Sequence, residues 1–433
     1  MNKPEKKGLV PELRFPEFGN KEWKFAKIND VASIVTDYVA NGSFQSLREN
    51  VVILNTNEFA YYIRLSDLRA GLGHKDQKYV VQSSYDFLKK SALHGGELLI
   101  ANIGANVGEV WQMPMVDKPA TLAPNMIMIK FKTNVSSNYI YYLLDSENGQ
   151  DSIAKAIGGG AHPKINKTDL KQVIVVLPTT SREQQKIADC LTAIDELITA
   201  QTQKLDTLKT HKKGLMQQLF PAEGETLPKL RFPEFWDQRE WDEKALNELT
   251  TYVDYRGRSP AKCEHGIFLV TAKNIKHGYI DYDISKEYVS PNDYENVMKK
   301  GKPEKGDVLI TTEAPLGNIA QIDREYIALA QRVIKFRSRD FISNDYLKYY
   351  MLGGEFQGLL RAKAIGSTVQ GIQGKVLHQL PIKFPCGLEQ QKIANCLTSL
   401  DALITAQAEK IDTLKTHKKG LMQQLFPTPE ANG

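Results

Sequence analysis

Two long stretches of the chain carry apolar residues at alternating intervals of four and three. The first runs through Ile187, Leu191, Ile194, Ile198, Leu205, Leu208, Leu215 and Leu219, with Gln201 and Lys212 filling its gaps. The second runs through Ile393, Leu397, Leu400, Ile404, Ile411, Leu414, Leu421 and Leu425, with Gln407 and Lys418 in the same places. Such spacing predicts a coiled-coil seam on each of two helices. Pro221 and Pro427 stop them, and Ser181 with Gln184 forms a capping box at the first start. Each helix would run about 38 residues, roughly 57 Å at 1.5 Å per residue. Helices that share one seam, polar interruptions included, are expected to pair with each other, the polar positions fixing register and orientation.

Outside these stretches the pattern changes. Short β-branched runs such as "ENVVILNT", "GELLIANI", "NMIMIKF", "GDVLITT" and "QRVIKF" predict strands bounded by Gly, Asn and Pro. "NYIYYLLDS" and "DYLKYYMLGG" predict short helices behind polar caps. The chain is also written twice. Residues 183–221 align without gaps on 389–427 with 32 of 39 positions identical, and "PELRFPEF" at 11–18 returns as "PKLRFPEF" at 228–235. Between these anchors a thinner likeness persists: Asp37-Tyr38 matches Asp254-Tyr255, Asn57 matches Asn274, and "AKAIG" stands at both 154 and 362.

The fold class expected from this is α+β: two mixed α/β domains separated by a pair of long coiled-coil helices, with an internal repeat that is pseudo-two-fold if the helices are antiparallel, as we take them to be. The expected boundaries are 1–180 and 222–386 for the domains, 181–221 and 387–427 for the helices, and 428–433 for a tail. A chain of 433 residues is too long for one ordinary core.

Composition narrows the function without naming it. A hydrophobic share of 42%, a charged share of 25% and no long apolar tract suit a cytoplasmic globular protein. Cys190, Cys263, Cys386 and Cys396 form no metal-ligand spacing and read as reduced thiols. A net charge of +5 permits an anionic partner without demanding one. Enzyme motifs are missing: there is no NPPY or DPPY for adenine methylation, no GxxxxGK[ST] and no HExxH. "GGGAHPK" at 158–164 lacks the Lys-Ser/Thr ending of a nucleotide loop.

The duplicated order of "LRFPEF", a "GELLI" or "GDVLI" strand, "EQQKIA" and "KKGLMQQLF", with "GSTVQGIQ" before "LPIKFP", resembles the specificity (S) subunit of prokaryotic type I restriction-modification systems. The resemblance covers the whole chain. It implies two target-recognition domains, each reading one half of a bipartite asymmetric DNA target. It further implies helices that set the spacer and dock two methyltransferase (M) subunits, with restriction (R) subunits joining to complete the nuclease. S-adenosylmethionine, ATP and magnesium would belong to those partners, and this chain would carry no cofactor and no catalytic site, directing adenine methylation and restriction by the others. The alternative is an autonomous two-headed sequence-specific DNA-binding protein.

Candidate DNA-binding residues follow from the loops that differ between the halves. In "DYRGRSPAK", Arg256 and Arg258 bracket a glycine that lets the backbone approach a groove, and arginine pairs bidentately with guanine; Tyr255 and Lys262 flank them. The matching first-half loop offers Tyr38, Asn41, Ser43, Gln45 and Arg48. A second loop pair offers His162 and Lys164 against Ser367, Thr368, Gln370 and Gln373. Strand ends add Asn57, Asn102, Lys273, Asn274 and Arg332. The basic "KTHKKG" of each helix could face DNA, a partner subunit or only water.

Overall fold

The computed structural model describes residues 9–19, 23–255, 260–367 and 370–427. It divides into two compact units, Met1–Gln201 with Lys410–Gly433, and Thr202–Glu409. Both long helices are present: a central helix, Ser181–Leu219, and a C-terminal helix, Gly387–Leu425. Each is divided between the units, so a unit contains the start of one helix and the end of the other.

In the first unit, Leu98–Ala101 and Met126–Phe131 are the inner strands of a four-stranded antiparallel sheet edged by Ala32–Asp37 and Val110–Gln112. Alternate side chains leave on opposite faces. Leu98, Ile100, Ile127 and Ile129 join Tyr139, Ile140 and Leu143 of a short helix in one core. Leu99, Met126 and Met128 join Ile63, Leu93 and Leu122 in another. Apolar packing on both faces explains why these strands read as continuous apolar runs. The second core is backed by a five-stranded mixed sheet in which Ala60–Ile63 runs parallel to Ala120–Leu122. Lys24–Lys27 pairs antiparallel with Ile174–Leu177, closing the unit just before the central helix.

The second unit repeats this plan. Its four-stranded sheet runs Thr250–Asp254, Val333–Ser338, Val308–Thr312, Leu316–Gln321. Register, not only order, is shared. Asp37 stands opposite Ile127 as Asp254 stands opposite Ile334, and Leu98 opposite Ile129 as Val308 opposite Phe336. Asn125 and Arg332, each at φ 72°, precede equivalent inner strands. The second mixed sheet has three strands in this unit.

The helix ends complete both units in the same way. In the first, Ile187, Ala188 and Leu191 share a core with Met422, Leu425 and Phe426. Leu13 donates its backbone N–H to Gln424 O, and the neighbouring Arg14 grips Glu183, while farther along Asp195 bonds Lys418. The two helix segments in this unit are therefore antiparallel. In the second unit Leu219 and Phe220 share a core with Ile393, Ala394 and Leu397, Leu230 N–H bonds Gln218 O, and Lys212 bonds Asp401. Along both helices the seam positions are buried or half-buried, Gln201, Lys212, Gln407 and Lys418 included, and most positions between them are exposed. The first helix start differs from the expected capping box. Thr180 is the cap, its Oγ1 accepting the Glu183 N–H, and Gln184 instead accepts from the backbone N–H of Ser136.

Candidate nucleic-acid interface

Beside the inner strands of each unit, two loops are bolted together. In the first unit Ile165 donates to Asn102 O, Gly104 donates to Pro163 O, and Gly158 and Lys164 exchange two backbone bonds of 2.9 Å. Gly159, at φ 98°, makes this turn possible, since a Cβ there would lie 2.5 Å from His162 O. In the second unit Ile372 donates to Thr312 O, and Ile365 and Gly371 exchange the same pair of bonds. The scaffold thus presents corresponding loop surfaces with different side chains.

On the first surface the structure brings together Asn102, His162 and Lys164, the last two exposed. Asn102 Oδ1 is buried without a hydrogen-bond partner. Lys167, at the start of a short helix capped by Asn166, reaches back to Asp37 at 2.8 Å and ties this loop to the one beginning at Tyr38. On the second surface lie Arg332, Ser367, Gln370 and Gln373, all exposed, with Arg332 Nε 2.9 Å from Glu313 Oε1. Gln370 and Ser367 share a cleft with Arg361, a cation the sequence reading passed over.

Other candidates sit elsewhere or are spent on structure. Ser43 caps the helix Phe44–Asn50, Gln45 bonds Glu49, and Arg48 lies exposed on the same helix. Asn41 is half-buried, donating to Tyr38 O and Ser91 Oγ and accepting from Lys90 N–H, so its amide is committed internally. Tyr38 and Tyr255 are buried, Tyr38 against the ring of Tyr62 and Tyr255 with its hydroxyl on Gly301 O. These two are core residues that hold the loops rather than surface groups that read a base. Lys262 pairs with Glu287 at 2.7 Å, Lys273 is exposed, and Asn57 accepts from Lys118 on the mixed-sheet side of the first unit. Arg256, Arg258 and Thr368 lie outside the described residues.

Asn274 requires a correction. It is fully buried; its Oδ1 accepts from Thr271 N–H and hydroxyl, and its Nδ2 donates to Asp281 O and Ser285 O. Its counterpart is not Asn57. Ile63 opposite Leu122 and Val270 opposite Leu329 fix the register, which carries Asn274 onto Asp67. Asp67 is likewise buried and accepts the Arg64 backbone N–H. Although burial opposes its charge, bonds from Arg64 and His74 hold the Asp67 carboxyl below its usual range. Asn274→Ala should therefore cost about 2–3 kcal/mol by leaving buried partners unpaired. Asn57→Ala should stay within about 0.5 kcal/mol. Urea unfolding of the two variants checks this, and equal losses would mean that Asn274 is not the structural member of the pair.

Among the described residues no cluster of three His, Cys, Asp or Glu could hold a metal, and no helix is long and apolar enough to cross a membrane. Comparison with known proteins accounts for the doubled plan. The family model for the type I restriction modification DNA specificity domain matches twice, over residues 20–210 and 238–416. The type I restriction enzyme MjaVIII specificity subunit of Methanocaldococcus jannaschii is 25% identical, over 96% of this chain and 93% of that one. The fold is shared with the crystal structure of the S subunit of a type I restriction-modification system from M. genitalium. That match has a TM-score of 0.57 at 16% identity and covers 96% of this chain and 99% of that one. A chain solved for complex assembly and conformational transition of the type I R-M system gives a TM-score of 0.56 at 17% identity, over 94% of this chain and 97% of that one. With both units matched along most of their length, the chain belongs to the type I restriction modification DNA specificity family.

Proposed function

We propose that this chain is the non-catalytic recognition subunit of its complex and that each unit reads one half of a bipartite, asymmetric DNA target. The observation that carries this reading is the pair of loop surfaces. Identical backbone bonding at Ile165 and Ile372 supports different contents, Asn102, His162 and Lys164 in one unit against Arg332, Ser367, Gln370 and Gln373 in the other. Equal scaffolds with unequal side chains favour two different half-sites, because base edges are told apart by donor and acceptor pattern while phosphates only position. The long helices would set the spacer and dock two methyltransferase subunits. Those partners would bring S-adenosylmethionine and flip the target adenine, and restriction subunits would bring ATP and magnesium chemistry.

Co-expression with the methyltransferase subunit, followed by genome-wide mapping of methylated adenines, tests the reading. One asymmetric motif in two parts, separated by a fixed unspecified spacer, is expected. A map with no motif, or with a continuous one, overturns it.

A further inference from the structure

The loops proposed to read DNA differ between the two units, yet one basic pair recurs in both. "DFLKKS" carries Lys89 and Lys90, and "ENVMKKG" carries Lys299 and Lys300. All four are exposed. Each pair follows a short helix that begins shortly after an equivalent strand, Lys78–Val80 in one unit and Tyr288–Val289 in the other.

What holds the two pairs in place is different. In the first unit Lys90 donates its backbone N–H to Asn41 Oδ1 at 3.0 Å, and Asn41 Nδ2 reaches Ser91 Oγ at 2.8 Å. The turn is thereby fastened beside the loop that carries Ser43, Gln45 and Arg48. The corresponding loop of the second unit, "DYRGRSPAK", contains no asparagine. The Tyr255 hydroxyl bonds Gly301 O, Lys300 Nζ donates to Asp254 O at 3.1 Å, and a Cβ on Gly301 would lie 2.7 Å from Val253 Cγ2. Different bonds thus fasten the same turn beside the same loop. Of these bonds only that of Lys300 uses an ammonium group, so the fastening does not account for the charge at Lys89, Lys90 and Lys299. Lys89 meets Asp86 at 3.3 Å with both side chains exposed, and such a pair contributes little. Lys299 and Lys300 line an open cleft with Tyr255, Pro260 and Asn296, where Asp293 is the acidic member.

We infer that Lys89–Lys90 and Lys299–Lys300 are phosphate anchors, one pair per half-site, that hold duplex DNA against each unit without reading its sequence. The inference rests on the proposed DNA recognition and adds residues to it. A lysine ammonium is a flexible point charge suited to phosphate, and each phosphate neutralised releases condensed counterions.

The test uses the complex with its methyltransferase subunits. Duplex binding is measured across a salt series for wild type, K89Q/K90Q, K299Q/K300Q and the arginine pairs K89R/K90R and K299R/K300R, on target and scrambled duplexes. Removing either pair should lower the slope of log affinity against log salt by about 1.8 in magnitude if both lysines meet phosphates. Target and scrambled duplexes should weaken by the same factor, the arginine pairs should restore binding, and the methylated motif should not change. An unchanged slope, or an altered motif, overturns the assignment. If the wild-type complex itself showed no preference for a bipartite target, the proposed function would fail instead, and the slope comparison would still decide whether the lysines meet phosphate.

Discussion

Glu183→Ala is expected to destabilise the protein by about 3–5 kcal/mol, the usual penalty for breaking a buried ion pair from one side. Arg14 and Glu183 form a forked pair at 2.7 and 2.9 Å, with side chains 9% and 1% exposed. The indole N–H of Trp23 adds a third donor at 3.2 Å. The second unit repeats the fork between Arg231 and Glu389 at 2.9 and 2.8 Å, but there the Trp241 indole N–H is buried without a partner. Glu389→Ala strips two donors where Glu183→Ala strips three, so its cost should be smaller by about 1 kcal/mol. Replacing both partners by apolar residues, as in R14M/E183M, should recover most of the loss, since desolvation of the ions no longer has to be met. Thermal and urea unfolding of the single and double variants check this. A double variant as unstable as Glu183→Ala would mean that the fork does more than satisfy two buried charges.

This fork gives one reason for both "LRFPEF" and "EQQKIA" to recur in each half, a link that their separate repetition did not disclose. They lie far apart in sequence, but the arginine of one is the counterion of the glutamate of the other. The helices were legible directly. A 3.5-residue seam is a periodic signal that survives in a single sequence, and its polar members Lys212 and Lys418 now have partners. The site was less legible. Tyr38 and Tyr255 share a motif with exposed loops but point into the core, and a sequence does not say on which side of a turn a side chain falls. The match of Asn57 to Asn274 failed because the chain from Asp37 to Ile63 is longer than that from Asp254 to Val270, which shifts the register before the strand begins. Only the pairing of Val270 with Leu329 reveals Asp67 as the true counterpart. A carboxylate and an amide can serve there alike because both accept the backbone N–H that opens the turn.

The lysines of "KTHKKG" lead to the second large effect, which concerns helix orientation. In the first unit Lys418 Nζ lies 2.7 Å from both Asp195 carboxylate oxygens, the Tyr142 hydroxyl donates to Asp195 at 2.9 Å, and the ammonium sits 5.0 Å from the Tyr142 ring centroid. In the second, Lys212, Asp401 and Tyr349 make the same trio. Burial raises the pKa of both tyrosines, so they stay protonated and keep donating. A parallel alignment of the two repeats would set Asp195 against Asp401 and Lys212 against Lys418, like against like. The trios therefore select the antiparallel sense as well as the register. Two double variants of identical composition and net charge separate this from a general effect of charge. D195K/K418D exchanges the partners within one trio and should stay within about 1–2 kcal/mol of wild type, the residual loss coming from the tyrosine bond. D195K/K212D sets like charges together in both trios. Lost charged hydrogen bonds of about 1.5–3 kcal/mol each, with like-charge repulsion added, should cost at least ~4 kcal/mol in all. Unfolding free energies in low salt give the comparison. Equal stability of the two variants would show that orientation is set by the apolar seam alone, whereas the expected gap assigns it to the four charges.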